Sequence, residues 1–443
     1  MSTTSHPPLP KSIIIVGSGV FGLSTALSLS KRASFSPSEI TLIDRSPFPS
    51  PDGSSIDTSR IIRADYADPA YASLAAAGQE IWRQQEANQL GGEGRYSESG
   101  LVLVSNKGSD NEIYVQKSFH NVLDINKGTE NEGSVKELPS RREIEETVGT
   151  RGGSGDWGYS NTRSGWADAE AGMLFLRRQV EALKRVEFLT AEVASLVFSG
   201  SNTTGVRFKN NSTISADLVI LATGAWTPTL IDLRGRAQAS GQVLSYLPIS
   251  DAEQERLGKM PVLLNMSSGM FIIPPKNNLL KVARHNYGYS NPISIPNPEG
   301  EGQIKVSVPR TALSDPNLWI PHEGEAACRQ ALREMIPSLG DRPFTKTKIC
   351  WYTDTPTGDF IITYHPSYSN LFLATGGSGH GYKFLPVIGD KIVDCIEGRT
   401  PEEFKEKWAW RKEAVQNVLT ADGSRGGRPG MLLEEELKKG SKL

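Results

Sequence analysis

The sequence is poor in cysteine. Its 443 residues hold three, Cys328, Cys350 and Cys395, at spacings that make neither a paired disulfide framework nor a zinc pattern. An intracellular, reducing compartment is the simpler reading, and no metal site is expected. Excess charge of either sign is also missing: 48 Lys and Arg stand against 50 Asp and Glu, a formal net charge of −2. That balance argues against broad attraction to nucleic acid or membrane surfaces. No apolar run reaches transmembrane length. The opening stretch, MSTTSHPPLPK, is polar and Pro-rich and does not form a secretory signal. No internal repeat or low-complexity domain stands out. What remains is 37% hydrophobic and 22% charged, the composition of a soluble globular protein. Its length suffices for two or three domains and a large core.

The most informative stretch runs from Ser12 to Arg45. The apolar run Ile13-Ile14-Ile15-Val16 predicts a buried parallel strand, and Gly17-Ser18-Gly19-Val20-Phe21-Gly22 ends it as a GxGxxG turn. A helix pattern follows, then a second strand, Ile40-Thr41-Leu42-Ile43, closed by Asp44. Each part has a physical task. Gly17 permits the tight turn, Gly19 admits a pyrophosphate to the backbone, and Gly22 lets helix and strand pack closely. The helix N-terminus offers N–H groups and partial positive charge to phosphates. Asp44 is placed to accept both hydroxyls of an adenosine ribose. Strand, glycines, helix, strand and acid in this order point to a dinucleotide; the motif alone does not separate FAD from NAD.

Further along, residues 46–59 read as a loop rich in Pro, Ser, Asp and Gly, leading into Arg60-Ile61-Ile62-Arg63. Its apolar centre implies burial, and buried arginines need anionic partners. A helix is predicted over 67–88 and a strand over 98–104, whereas 106–163 reads as irregular with one helix near Arg142 to Val148. Asp168 or Ser164 is placed to cap a helix from Ala169 to Arg185. An apolar strand around 218–221 stops at Thr223-Gly224, a turn able to approach the dinucleotide. Residues 286–302 predict a long surface loop or lid. A second glycine-rich junction, Gly376-Gly377-Ser378-Gly379-His380-Gly381, precedes a helix expected from about Pro386 to Glu397 and offers backbone N–H groups at its start.

Together these pieces resemble the FAD-dependent amine oxidases of the monomeric sarcosine oxidase type, a group that includes pipecolate and saccharopine oxidases and the fructosyl amino acid oxidases (amadoriases). The resemblance spans Ile13 to about Gly398. It rests on the GSGVFG turn with Asp44, Ser59-Arg60-Ile61-Ile62-Arg63, Gly165-Trp166-Ala167-Asp168-Ala169, Ala222-Thr223-Gly224-Ala225-Trp226, Cys350-Trp351-Tyr352-Thr353-Asp354-Thr355-Pro356 and Gly379-His380-Gly381-Tyr382-Lys383-Phe384. It implies an α/β fold in which a Rossmann-like FAD-binding domain of the D-amino acid oxidase type is interleaved with a mixed-sheet α+β substrate domain. On that reading residues 10–85, 150–230 and 345–400 bind FAD, 86–149 and 231–344 form the substrate domain, and 401–443 form a helical tail.

The resemblance also implies roles. Cys350 matches the cysteine that forms a thioether to the flavin 8α-methyl. Lys281 matches a lysine over the flavin that promotes reaction with oxygen, where a fixed cation stabilises superoxide. Arg60 matches an arginine near the flavin, and Arg63 with Lys383 the pair that holds the substrate carboxylate. His285, Tyr352 and His380 match pocket residues. FAD contacts are implied at the GxGxxG residues Gly17, Ser18, Gly19, Val20, Phe21 and Gly22, at Asp44 and Arg45, and at Ser59 and Arg60. Others are implied at Val193, Thr223, Gly224 and Trp226, and at Gly379, Gly381, Tyr382 and Lys383. The expected activity is oxidation of the C–N bond of an N-substituted amino acid such as saccharopine, pipecolate or sarcosine. Molecular oxygen is the acceptor, hydrogen peroxide the product, and the enzyme a monomer. Fructosyl amino acid oxidation is the alternative. Amadoriases usually carry an acidic pair after the lysine, where this chain has Ala283 and Arg284. Arg284 would favour another carboxylate, yet strand alternation places Lys281, Ala283 and His285 on one face and Arg284 on the other. The chain ends Ser441-Lys442-Leu443, which reads as a peroxisomal address recognised by an import receptor.

Overall fold

In the computed structural model, which describes residues 9–440, the opening apolar run is the strand Ser12–Val16 inside a six-stranded sheet. The order is Ile361–Tyr364, Leu371–Thr375, Leu218–Leu221, Ser12–Val16, Glu39–Asp44, Val186–Thr190. All neighbours are parallel except the edge strand Ile361–Tyr364. A parallel sheet needs both faces covered. Helices Val20–Lys31, Pro69–Trp82, Ala169–Ala182 and Ile388–Ile396 cover one face through Leu23, Leu29, Trp82, Met173 and Ile392. The three-stranded sheet Val193–Ser199, Asn202–Phe208, Thr213–Ser215 covers the other, packing Val206 and Phe208 on Val16, Val219 and Leu221.

The glycine turn is as tight as its sequence demands. Gly17 has φ +103°, and a Cβ on Gly22 would lie 1.8 Å from the Gly17 carbonyl oxygen. Asp168 caps Ala169–Ala182 by accepting from Ala171 N at 2.9 Å.

A ten-stranded mixed sheet forms the second layer system. Its centre is Gln238–Pro248, Leu279–Arg284, Met270–Lys276 and Val262–Asn265, with Lys346–Asp354 paired along Gln238–Pro248. Helix His322–Met335 packs on one face through Cys328, Leu332 and Met335. The opposite face turns toward the parallel sheet. Among the described residues no helix is long and apolar enough to cross a membrane.

Several expectations are corrected. Residues 106–163 are not largely irregular: Asn111–Asn126 is a helix, and Val135–Leu138 and Trp157–Asn161 are strands. The helix expected over 67–88 stops at Trp82. Residues 286–302 are not an open loop, because Pro292–Pro296 pairs with Gln303–Ser307 as a hairpin and Asp232 N donates to Glu299 in its connecting turn. The second glycine junction does not feed an α-helix directly. A single 3₁₀ turn, Tyr382–Phe384, intervenes before Ile388. The tail is helical over Leu433–Gly440, whereas residues 405–430 run as irregular chain across the protein. Ser441-Lys442-Leu443 lie outside the described residues.

Candidate active site

Two cavities meet between the sheets. The first, of about 220 Å³, lies at the C-terminal ends of the parallel strands, where open α/β sheets place their ligands. Gly17, Ser18, Gly19, Val20 and Phe21 line it from the turn; Asp44, Arg45, Val193, Thr223, Gly224 and Trp226 line it from neighbouring strand ends. The Asp44 carboxylate is fixed by the turn itself, accepting from Ser18 N at 2.8 Å and Ser18 Oγ at 2.6 Å. Arg45 lies over the Trp226 ring at 4.0 Å and pairs with Asp52 at 2.6 Å. Gly22 does not line the cavity; it serves packing.

The second cavity, of about 80 Å³, opens against the mixed sheet. Arg60, Tyr352, Gly379 and Tyr382 line both cavities and mark where they join. Cys350 and Ser59 lie on the second cavity's side of that junction. The Cys350 Sγ is 3.6 Å from Arg60 Nη2.

The arrangement fits a dinucleotide with a reactive end. The glycine turn is a cradle that a Cβ would fill, an acid stands at the second strand end, and the long cavity leads to a cation-lined chamber. A family profile for DAO, FAD dependent oxidoreductase, matches residues 12–395. This chain belongs to the DAO family of FAD-dependent oxidoreductases. It is 32% identical to the amino acid oxidase imqH of Aspergillus flavus, over 88% of this chain and 93% of that one. It is 28% identical to the L-saccharopine oxidase of Schizosaccharomyces pombe, over 93% and 95%. The solved fructosyl peptide oxidase from E. terrenum superposes with a TM-score of 0.84 at 26% identity, over 97% and 98%.

In this family member the chamber is built around a buried acid that the sequence reading did not single out. Asp57 accepts from Lys281 Nζ at 3.0 Å and from Tyr246 OH at 2.7 Å, and it pairs with Arg60. Burial pushes its carboxyl upward, but Lys281 and Arg60 outweigh that and hold it far below the usual carboxylate range. Lys281 also donates to Ser59 O at 2.6 Å. Burial lowers its ammonium to about 8, against the upward pull of Asp57.

Arg63 and Lys383 meet at Tyr66. The Arg63 guanidinium lies 4.8 Å from the centre of that ring, and Lys383 Nζ donates to its hydroxyl at 2.9 Å. Burial first, and then Arg63, lower the Lys383 ammonium well below its ordinary value. The His380 ring nitrogens are both engaged, Nε2 with Gly358 O at 2.8 Å and Nδ1 with Tyr66 OH at 3.0 Å. With Nε2–H donating to a carbonyl, Nδ1 accepts from Tyr66. His380 therefore lines the cavity without a free nitrogen for a ligand. His285 contacts Tyr352 OH at 3.5 Å and Arg425; burial, then Arg425, keep it neutral.

Arg425 is the second residue that the sequence reading missed. It comes from the irregular 405–430 segment, and its guanidinium is 2.9 Å from Asp354 and 2.8 Å from Ser378 O. Its only signal was a lone arginine in a Gly-rich stretch, Gly423-Ser424-Arg425-Gly426-Gly427. Arg284 lines the chamber, but its guanidinium bonds Glu323 at 2.7 and 3.1 Å and Tyr289 OH at 2.8 Å, so its charge is already balanced and it is not placed as a second carboxylate site. The lid expected at 286–302 contributes no residue to either cavity.

Proposed function

We propose that this chain is a flavoprotein oxidase of secondary amino acids, with the second cavity as its substrate chamber. The observation that carries this reading is one of unbalanced charge. Among the described cations lining the chamber, Arg60 and Lys281 have Asp57 and Arg284 has Glu323, but Arg63 and Lys383 have no carboxylate within ion-pair distance. Arg63 also keeps a buried Nη1 with no hydrogen-bond partner. A buried guanidinium with an unpartnered Nη1, beside a lysine whose charge burial and that guanidinium disfavour, is a receptor that one bound carboxylate would complete by supplying the missing negative charge.

In the proposed mechanism Arg63 and Lys383 grip the substrate carboxylate and fix the amine beside the cavity junction, which is catalysis by orientation. Neutral His285 adds no further positive charge to a chamber already lined by cations. FAD, held by the glycine turn, Asp44 and the strand ends lining the first cavity, would supply two-electron oxidation of the C–N bond with molecular oxygen as final acceptor, and the imine product would hydrolyse in water. Lys281 presents a buried positive charge toward that end of the site, where reduced oxygen carries negative charge. Cys350, beside Arg60, is proposed to hold the flavin covalently.

The relatives named for amino acid and saccharopine oxidation support this reading. Fructosyl amino acid oxidation is the second reading, favoured by the structural neighbour's name. Against it, no Asp or Glu lines the chamber among the described residues, and Ala283 occupies a position where an acid would meet sugar hydroxyls. The test is anaerobic mixing of the purified holoenzyme with pipecolate, sarcosine, saccharopine and fructosyl-valine while following flavin absorbance. Bleaching by one of the first three is expected. Bleaching by fructosyl-valine alone would reverse the order of the two readings. We further propose a monomeric enzyme addressed to peroxisomes by Ser441-Lys442-Leu443. Retention of a C-terminally truncated form in the cytosol would bear on that address.

A further inference from the structure

The carboxylate receptor occupies one part of the chamber, and the rest is apolar in a regular way. Leu264, Phe271, Ala283 and Leu244 are directly opposite one another on four adjacent strands: Leu264 pairs with Phe271, Phe271 with Ala283, and Ala283 with Leu244. All four line the chamber. At the usual spacing between neighbouring strands the row is about 14 Å long, three strand separations. Phe271 is its part-exposed member and the others are buried. Ile273, in the adjacent row opposite Lys281, and Ile61 across the cavity extend the same lining.

We infer that the substrate is a monocarboxylic N-alkyl amino acid bearing a ring-sized apolar group, which seats against the row Leu264–Phe271–Ala283–Leu244. This rests on reading Arg63 and Lys383 as the carboxylate receptor. Three features of the chamber carry it. The two arginines that would serve a second carboxylate are already balanced, Arg284 by Glu323 and Arg425 by Asp354. A second carboxylate would therefore lie desolvated against hydrocarbon. A polyol arm would place hydroxyls against the same row with no partner. An apolar ring replaces water there at no polar cost and gains an offset aromatic contact with Phe271. Among the substrate classes considered above, tricarboxylic saccharopine is disfavoured and a cyclic or aromatic monocarboxylate is favoured. Sarcosine fits the receptor but leaves the row uncovered.

The experiment uses non-oxidisable carboxylates, so that binding is read apart from turnover. Acetate, glutarate and 3-phenylpropanoate are titrated into the oxidised holoenzyme, and dissociation constants are read from perturbation of the flavin spectrum and from the rise in melting temperature. Phenylpropanoate should bind at least about tenfold more tightly than acetate, and glutarate no more tightly than acetate. Phe271→Ala should lower the phenylpropanoate-to-acetate ratio at least threefold. Leu264→Ala, at the end of the row, makes the same test if Phe271→Ala does not retain flavin. Equal binding by all three ligands, tighter binding by glutarate, or an unchanged ratio in the variant would overturn the apolar seat while leaving the carboxylate receptor standing. No binding by any of the three would overturn both.

Discussion

Lys281 sits under opposing influences, and their balance has a measurable consequence. Burial and Arg60 disfavour its charge, Asp57 favours it, and the result is an ammonium titrating at about 8. A lysine lowered to that value is cationic below it and neutral above it. If the charge assists oxygen, flavin reoxidation should slow as pH rises through about 8 while anaerobic flavin reduction does not follow the same curve. Lys281→Met should slow reoxidation far more than reduction, and equal slowing would remove the role. In Asp57→Asn the favourable counter-charge is gone, so the reoxidation profile should move about 1–3 pH units lower. An unmoved profile would reduce Asp57 to a structural acid. Cys350 makes a separate prediction. Wild-type flavin should stay with the acid-precipitated chain, and in Cys350→Ala it should appear in the supernatant; release from the wild type would exclude the covalent link. Arg63 and Cys350 were singled out because each stands inside a specific local motif, and Lys281 because the resemblance places a lysine on that apolar strand. Asp57 was not, since an Asp in a Ser-rich loop reads as a solvated turn. Only the fold brings it to a lysine 224 positions away.

At the scale of elements, the strand–turn–helix unit is the most constrained part of the chain. A methyl on Gly22 would lie 1.8 Å from Gly17 O and 3.2 Å from the Ala222 Cβ, so helix Val20–Lys31 would have to move off the strand. Gly22→Ala is therefore expected to purify with little or no flavin and to unfold at lower temperature, which absorbance at 450 nm and a thermal melt would show. A yellow variant of unchanged stability would mean that the turn yields more easily than its contacts imply. This unit was legible because period, glycines and terminal acid agree with one another. Helix Asn111–Asn126 was missed for the opposite reason. Its buried face is Asn111, Tyr114, Val115, Ser118 and Val122, with polar residues among the core positions, so its helical period is diluted. The hairpin Pro292–Pro296 with Gln303–Ser307 was misread because Pro, Gly and Asn mark turns but do not show how far the flanking strands extend.

At the scale of the whole molecule, the irregular 405–430 segment binds the two sheets together. Ile362 N, on the edge strand of the parallel sheet, donates to Trp408 O at 3.0 Å, and on the mixed-sheet side Gln238 Nε2 donates to Val418 O at 3.1 Å and Thr420 Oγ1 donates to Thr355 O at 2.9 Å. The segment has no period and no motif, so its sequence predicts neither its path nor its contacts. The structure shows it delivering Arg425 to His285, a residue of the chamber wall. The Arg425–Asp354 side chains are 1% and 5% exposed, a fully buried ion pair. Removing one partner leaves the other charged and desolvated, which typically costs about 3–5 kcal/mol, whereas removing both charges costs much less. Arg425→Leu should accordingly lower the denaturation midpoint sharply, and Asp354→Asn in that background should recover much of the loss. The two changes also separate folding from chemistry. Arg425 lowers His285 through its charge, so the double variant, restored in stability, should still let His285 titrate at higher pH than in the wild type. An NMR titration of the histidine ring protons would show this. A single variant as stable as the wild type would mean that the segment lies on the surface of the fold rather than locking the two sheets around the site.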